Sequence, residues 1–254
     1  MAICKLCTLE KALIGKSHII PDFLYKHSGL YDELHRIRLF SVQEMIDGKK
    51  PSLPQSGVYE GKILCAECDN KRIGDNLEQY AKKAIYGGGQ LPMNECPECE
   101  NFINEEKDTF AICKNLSYSK YKLFLLSILW RASISSKSFF KRINIGEHEE
   151  IIRKMIFEND PKKFDEYPIF VFSSALDDDF TPDIILEPAQ SVDDNGMLTC
   201  YFVIGGFIYI FKVGRFLGDK VRLRKQTITE ENKITILTLK TGETMSFIKK
   251  YVGL

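Results

Sequence analysis

Two Cys-x-x-Cys pairs, Cys4-Lys5-Leu6-Cys7 and Cys65-Ala66-Glu67-Cys68, constrain this chain more than any other feature. Two residues between cysteines let both sulfurs of a tight turn face one point. Two such turns complete a tetrahedral donor set, with zinc–sulfur distances of about 2.3 Å. Thiolates favour zinc over magnesium or calcium, so the expectation is a structural zinc held by Cys4, Cys7, Cys65 and Cys68. The alternative is four unrelated buried cysteines.

Charge and hydropathy narrow the class. The 35 basic and 35 acidic side chains give a net charge of zero, which excludes a polybasic protein that holds nucleic acid by bulk charge. A local basic groove stays open. The apolar stretch Met197 to Phe211 has 15 residues, fewer than the roughly 18–20 of a spanning helix. Gly205-Gly206 interrupts it, and its β-branched and aromatic residues suit paired strands. No membrane partner is expected. The N-terminus lacks a secretion pattern, so the expected location is cytoplasmic, where thiols stay reduced and paired cysteines serve metals more often than disulfides.

The chain reads as an α+β protein in three parts. Residues 1–88 carry both cysteine pairs and end near a candidate hinge, Gly87-Gly88-Gly89. Residues 89–165 form a helical region after a turn-rich start. Its elements are an apolar helix over Tyr118–Ile134 and an amphipathic one over Glu147–Phe157. Arg131, inside the apolar helix, is expected to pair with a carboxylate or face an interface. Residues 166–254 form a β-rich domain with an antiparallel sheet, with strands near 169–173, 183–187, 198–204, 207–213 and 233–239, and a further candidate at 244–248. The run Asp177-Asp178-Asp179 reads as a solvated loop.

Between the cysteine pairs lies Lys16-Ser17-His18-Ile19-Ile20-Pro21, and Asp69-Asn70-Lys71-Arg72 opens a helix running to about Ile85. This order of elements is similar to the HNH endonuclease family. The resemblance implies a zinc-stapled ββα-metal module over residues 1–88. It further implies metal-dependent hydrolysis of phosphodiester bonds, in DNA ahead of RNA. The segments Phe23-Leu24-Tyr25-Lys26 and Leu123 to Ile134 resemble a group of bacterial HNH-type proteins associated with genome defence and antiviral roles.

The resemblance makes His18 the general base and Asp69 a ligand of a catalytic magnesium or manganese ion, with Glu60 as a helper. Ser17 stands where the family has an acidic residue. Hydrolysis needs a neutral imidazole to take a proton from water, a divalent cation for the developing charge, and cations for the phosphate. Lys16, Lys71 and Arg72 are the candidate phosphate contacts. Each residue also has a plain reading: His18 as a structural histidine, Asp69 as a helix cap, Glu60 as a strand-edge acid, and the cations as solvated. The alternative function is a catalytically degenerate, zinc-stabilised module that binds nucleic acid or protein. A homodimer or partner protein would hold substrate for a chain of zero net charge.

Cys96-Pro97-Glu98-Cys99 is a third cysteine pair, and Cys113 and His148 are candidates to complete a second zinc site with it. Cys200 lies in an apolar strand and reads as core, as does Trp130. His27 and His35 read as exposed.

Overall fold

The computed structural model describes residues 1–27, 29–87 and 89–252. Gly88 of the candidate hinge and the side chain of His27 lie outside the described residues.

The first cysteine turn sits in a small hairpin, β1 (Ala2–Ile3) with β2 (Glu10–Lys11). β3 (Ser17–His18) follows, then α1 (Asp22–His27), β4 (Leu39–Phe40) and α2 (Val42–Ile46). Ser41 caps α2 through a reciprocal pair: its hydroxyl accepts from the Glu44 amide and the Glu44 carboxylate accepts from the Ser41 amide. β5 (Tyr59–Glu60) returns antiparallel to β3, with Ser17 opposite Glu60 and His18 opposite Tyr59. The second cysteine turn then runs into one long helix. Its first part, Glu67–Glu78, is wound as a π-helix, and its second part, α3 (Gln79–Tyr86), is α-helical.

The middle stretch departs from the helical expectation at its start. β6 (Glu98–Ile103) and β7 (Thr109–Lys114) form an antiparallel hairpin before α4 (Tyr118–Ser133) and α5 (His148–Glu158). α4 matches the expected apolar helix and is buried nearly all round, from Tyr121 through Ala132. It packs against α5, α3 and the π-wound segment, so its whole circumference meets protein. Truncating one of its fully buried leucines, such as Leu126→Ala, would cost about 2–5 kcal/mol.

The remaining strands are β8 (Ile169–Leu176), β9 (Ile185–Leu186), β10 (Ala189–Val192), β11 (Leu198–Ile204), β12 (Phe207–Lys212) and β13 (Ile234–Lys240). With them come the helices α6 (Lys220–Arg224) and α7 (Glu243–Val252). Nine strands form one sheet in the order β4-β9-β11-β12-β8-β13-β7-β6, with β10 also on β11. The sheet is mixed, which corrects the antiparallel expectation: β13 runs parallel to β8, and β4 parallel to β9. It also draws β4, β6 and β7 from outside the C-terminal stretch, with β4 and β6 at its two ends.

Alternation along the central strands explains the long apolar run. Cys200, Phe202, Tyr209 and Phe211 face the core shared with α4, whereas Tyr201, Val203, Ile208 and Ile210 face a second core with Ile248 of α7. Both faces are covered, so every position is apolar. Gly205 and Gly206 both take positive φ in the hairpin turn, and a Cβ on Gly206 would lie 3.0 Å from that of Pro182. The segment 244–248 is helical, not a strand: Thr244 and Ile248, one helical turn apart, are its buried positions.

Candidate functional site

The two hairpin-like cysteine turns bring Cys4, Cys7, Cys65 and Cys68 together, all buried, with their sulfurs within 4.8 Å of one another. The Cys65 amide donates to Cys4 Sγ at 3.3 Å. Burial pushes the Cys4 thiol up, but backbone N–H groups of Cys7, Cys65 and Leu6 outweigh it and bring the thiol down to about 7. Burial pushes the Cys68 thiol well up. A closed set of four sulfurs with no open position suits a structural ion such as zinc. Among the described residues it is the only group of three or more metal-donor side chains that converge so closely.

A cleft of about 340 Å³ opens beside this centre, lined by His18, Asp22, Asp69, Asn70, Glu78 and Lys82, among others. The Ser17 hydroxyl donates to Asp69 Oδ1 at 2.5 Å. His18 Nε2 is buried and has no hydrogen-bond partner among the described residues. Burial, with Lys16 and Arg131 nearby, holds the imidazole below its ordinary pKa against the opposing pull of Asp22 and Asp69. His18 is therefore neutral at neutral pH, the state a proton acceptor requires.

The π winding decides which carboxylates share the cleft. Asp69 and Glu78 are nine residues apart, about two and a half α-turns, which would put them on opposite faces. Bonding five residues back, as the Gln79 amide does to Gly74, takes up about one more residue per turn and brings both onto one face. Burial raises the Glu78 pKa, and an ion pair with Arg131 at 2.9 Å opposes that rise. Arg131 is 1% exposed and also donates to the His18 carbonyl at 2.6 Å and the Ser127 carbonyl at 3.1 Å. The expected carboxylate partner of this arginine is Glu78.

The structure brings His18 and Asp69 to one cleft and leaves the other candidates outside it. Both Glu60 oxygens are taken by Ser135 and Ser136, at 2.7 Å from the Ser135 hydroxyl and 2.8 Å from the Ser136 hydroxyl. Glu60 thus ties β5 to the end of α4. Arg72 donates to the Phe157 carbonyl at 2.5 Å and lies over the Phe157 ring, which commits it to α5. Lys71 is exposed and does not line the cleft, and Lys16 lies 4.6 Å above the Tyr59 ring. Sequence reasoning missed Asp22, Glu78 and Lys82. Asp22 had a signal, four residues after His18 in the first turn of α1, where its Oδ2 pairs with Lys26.

A second zinc site at Cys96, Cys99 and Cys113 is ruled out in this arrangement. Cys99 and Cys113 are directly opposite on β6 and β7 and form a disulfide, which also corrects the expectation of reduced thiols. Cys96 is exposed, and His148 Nδ1 is instead 2.9 Å from the Tyr167 hydroxyl. Cys200 is fully buried core, as expected. His35 stacks on Tyr31 at 3.9 Å between centroids. No helix among the described residues is long and apolar enough to cross a membrane. Comparison with protein-family models, curated proteins and solved structures finds no match to this chain.

Proposed function

We propose that the chain is a metal-dependent nuclease of HNH type, acting on DNA ahead of RNA, with a structural zinc at the four cysteines. The observation that carries this reading is the unpartnered Nε2 of a neutral His18 beside Asp69 in an acid-lined cleft. A cleft of carboxylates repels a bare phosphodiester, so a divalent cation is the natural intermediary. Magnesium fits better than a caged ion, because it binds through one or two carboxylates and otherwise through water and phosphate. When bound by Asp69 it would neutralise charge on the phosphate and the leaving oxygen.

The chain's own groups do the rest. His18 Nε2 takes the proton of the attacking water. Arg131 holds the His18 carbonyl and so fixes the strand that aims the ring. Ser17 orients the Asp69 carboxylate by donating to one oxygen, which leaves the other to a cation. Lys82 offsets part of the cleft's negative charge.

Plasmid nicking in magnesium or manganese tests the reading. His18→Ala is expected to lower the rate by about 100- to 10,000-fold with zinc content unchanged. Equal nicking by both proteins would remove His18 as the base. A second reading, a binding module without hydrolysis, draws on the commitment of Glu60 to Ser135 and Ser136 and on the serine at position 17. Absence of nicking under every metal condition would favour it.

A further inference from the structure

We propose that the groove lined by Tyr59, Phe139, Lys137, Lys141 and Glu187 is a nucleobase pocket for single-stranded nucleic acid, one that favours a base with an exocyclic amino group over thymine or uracil. It rests on the nuclease reading only in taking its occupant to be the strand that reaches His18.

Four observations converge. First, the groove is large, at about 590 Å³, and apart from the His18 cleft, yet Tyr59 joins them. Tyr59 pairs with His18 across β3 and β5, and its ring meets the imidazole edge-on at 6.3 Å. Second, Tyr59 is 38% exposed and lines the groove, an aromatic side chain of the kind on which bases stack. Third, three lysines border it: Lys16 and Lys137 lie 4.6 and 5.9 Å from the Tyr59 ring centroid, and Lys141 lines the groove. Cations beside a stacking platform are the arrangement that tracks a sugar-phosphate backbone.

The fourth observation gives the specificity. Glu187 is 9% exposed, and its Oε1 is buried without a hydrogen-bond partner among the described residues. Lys141 Nζ forms an ion pair with this oxygen at 3.8 Å, too long to donate a hydrogen bond to it. A buried acceptor that receives no hydrogen bond is costly even beside a cation, so a ligand that brings an N–H donor gains that energy on binding. Cytosine offers its N4 amino group to such a carboxylate, whereas thymine turns the O4 acceptor towards it.

The test is equilibrium binding, by fluorescence anisotropy, of labelled oligodeoxycytidine and oligodeoxythymidine of equal length without added divalent ion. The wild-type protein is expected to bind the cytidine strand about tenfold more tightly. Glu187→Gln, whose amide can donate to O4, should bring the ratio to within about twofold. Tyr59→Leu should weaken both strands about tenfold. No preference in the wild type, or the same preference in Glu187→Gln, would overturn the proposal. The plasmid assay keeps the two ideas apart: nicking without a Glu187-dependent preference sinks the pocket alone, and the preference without nicking sinks only hydrolysis.

Discussion

Arg131 Nη1 donates to the carbonyl oxygen of His18 at 2.6 Å, so a guanidinium rooted in the most buried helix holds the strand that carries the candidate base. The same guanidinium pairs with Glu78 across the cleft wall. One side chain therefore locks three elements, α4, β3 and the π-wound helix, into the geometry the site requires.

Replacing Arg131 tests this lock. Arg131→Met leaves the Glu78 carboxylate without its cation and the His18 carbonyl without its guanidinium donor, and the expected cost is about 3–5 kcal/mol in urea unfolding. Arg131→Met combined with Glu78→Gln should cost less than the single change, because the stranded charge is gone. A loss within about 0.5 kcal/mol of zero for Arg131→Met would show that the pair is incidental.

The cysteine centre predicts one zinc per chain by elemental analysis. Cys68→Ser should abolish stoichiometric zinc and lower the melting temperature of the protein. The core around Leu6, Leu64 and Ile73 is continuous with the rest, so the loss should spread beyond the cysteines. Two zinc ions per chain would contradict the Cys99–Cys113 disulfide.

How far the sequence reached follows from which periodicities hold. The cysteine spacing, the apolar faces of α4 and α5 and the strands β11 and β12 were legible because each is written locally, the strands as a β-branched and aromatic run broken by Gly205-Gly206. Glu78 was not, since an α-helical reading turns it away from Asp69 and only π winding returns it. The hairpin β6–β7 was missed because its outer strand is exposed at every position and shows no alternation to read. Segment 244–248 looked like a strand because Thr244, Phe247 and Ile248 are residue types that favour strands. What makes it helical is a cap from Asp177, far away in the chain.

Ser17 offers a direct probe of the cleft's affinity for cations. It is 1% exposed and 2.5 Å from Asp69, so Ser17→Asp places a second carboxylate against the first. Without divalent ion the variant should melt lower than the wild type, through like-charge repulsion. Magnesium or manganese should restore the loss, and by more than it stabilises the wild-type protein. A thermal shift indifferent to either ion would argue against a cation site at Asp69.

Asp177 gives the pH dependence. It is 5% exposed, and its Oδ1 accepts from the amides of Gly242 and Asp179 at 2.9 and 3.1 Å, while Oδ2 accepts from the Thr244 amide at 2.8 Å. This buried carboxylate anchors the start of α7 and is not part of a solvated acidic loop. Burial pushes its pKa up, but the hydrogen bonds from the Thr244, Gly242 and Asp179 backbone amides outweigh that and hold it below the usual aspartate value. With the folded pKa below the unfolded one, the stabilisation is complete at neutral pH and is lost as pH falls through the folded value, below about 4. Asp177→Asn sets an amide N–H against the Thr244 N–H and should cost about 1–3 kcal/mol at pH 7. Melting temperatures followed from pH 7 to pH 3 should converge for wild type and variant, since acid removes from one what substitution removed from the other. A constant gap across that range would mean that the Asp177 charge contributes nothing to holding α7.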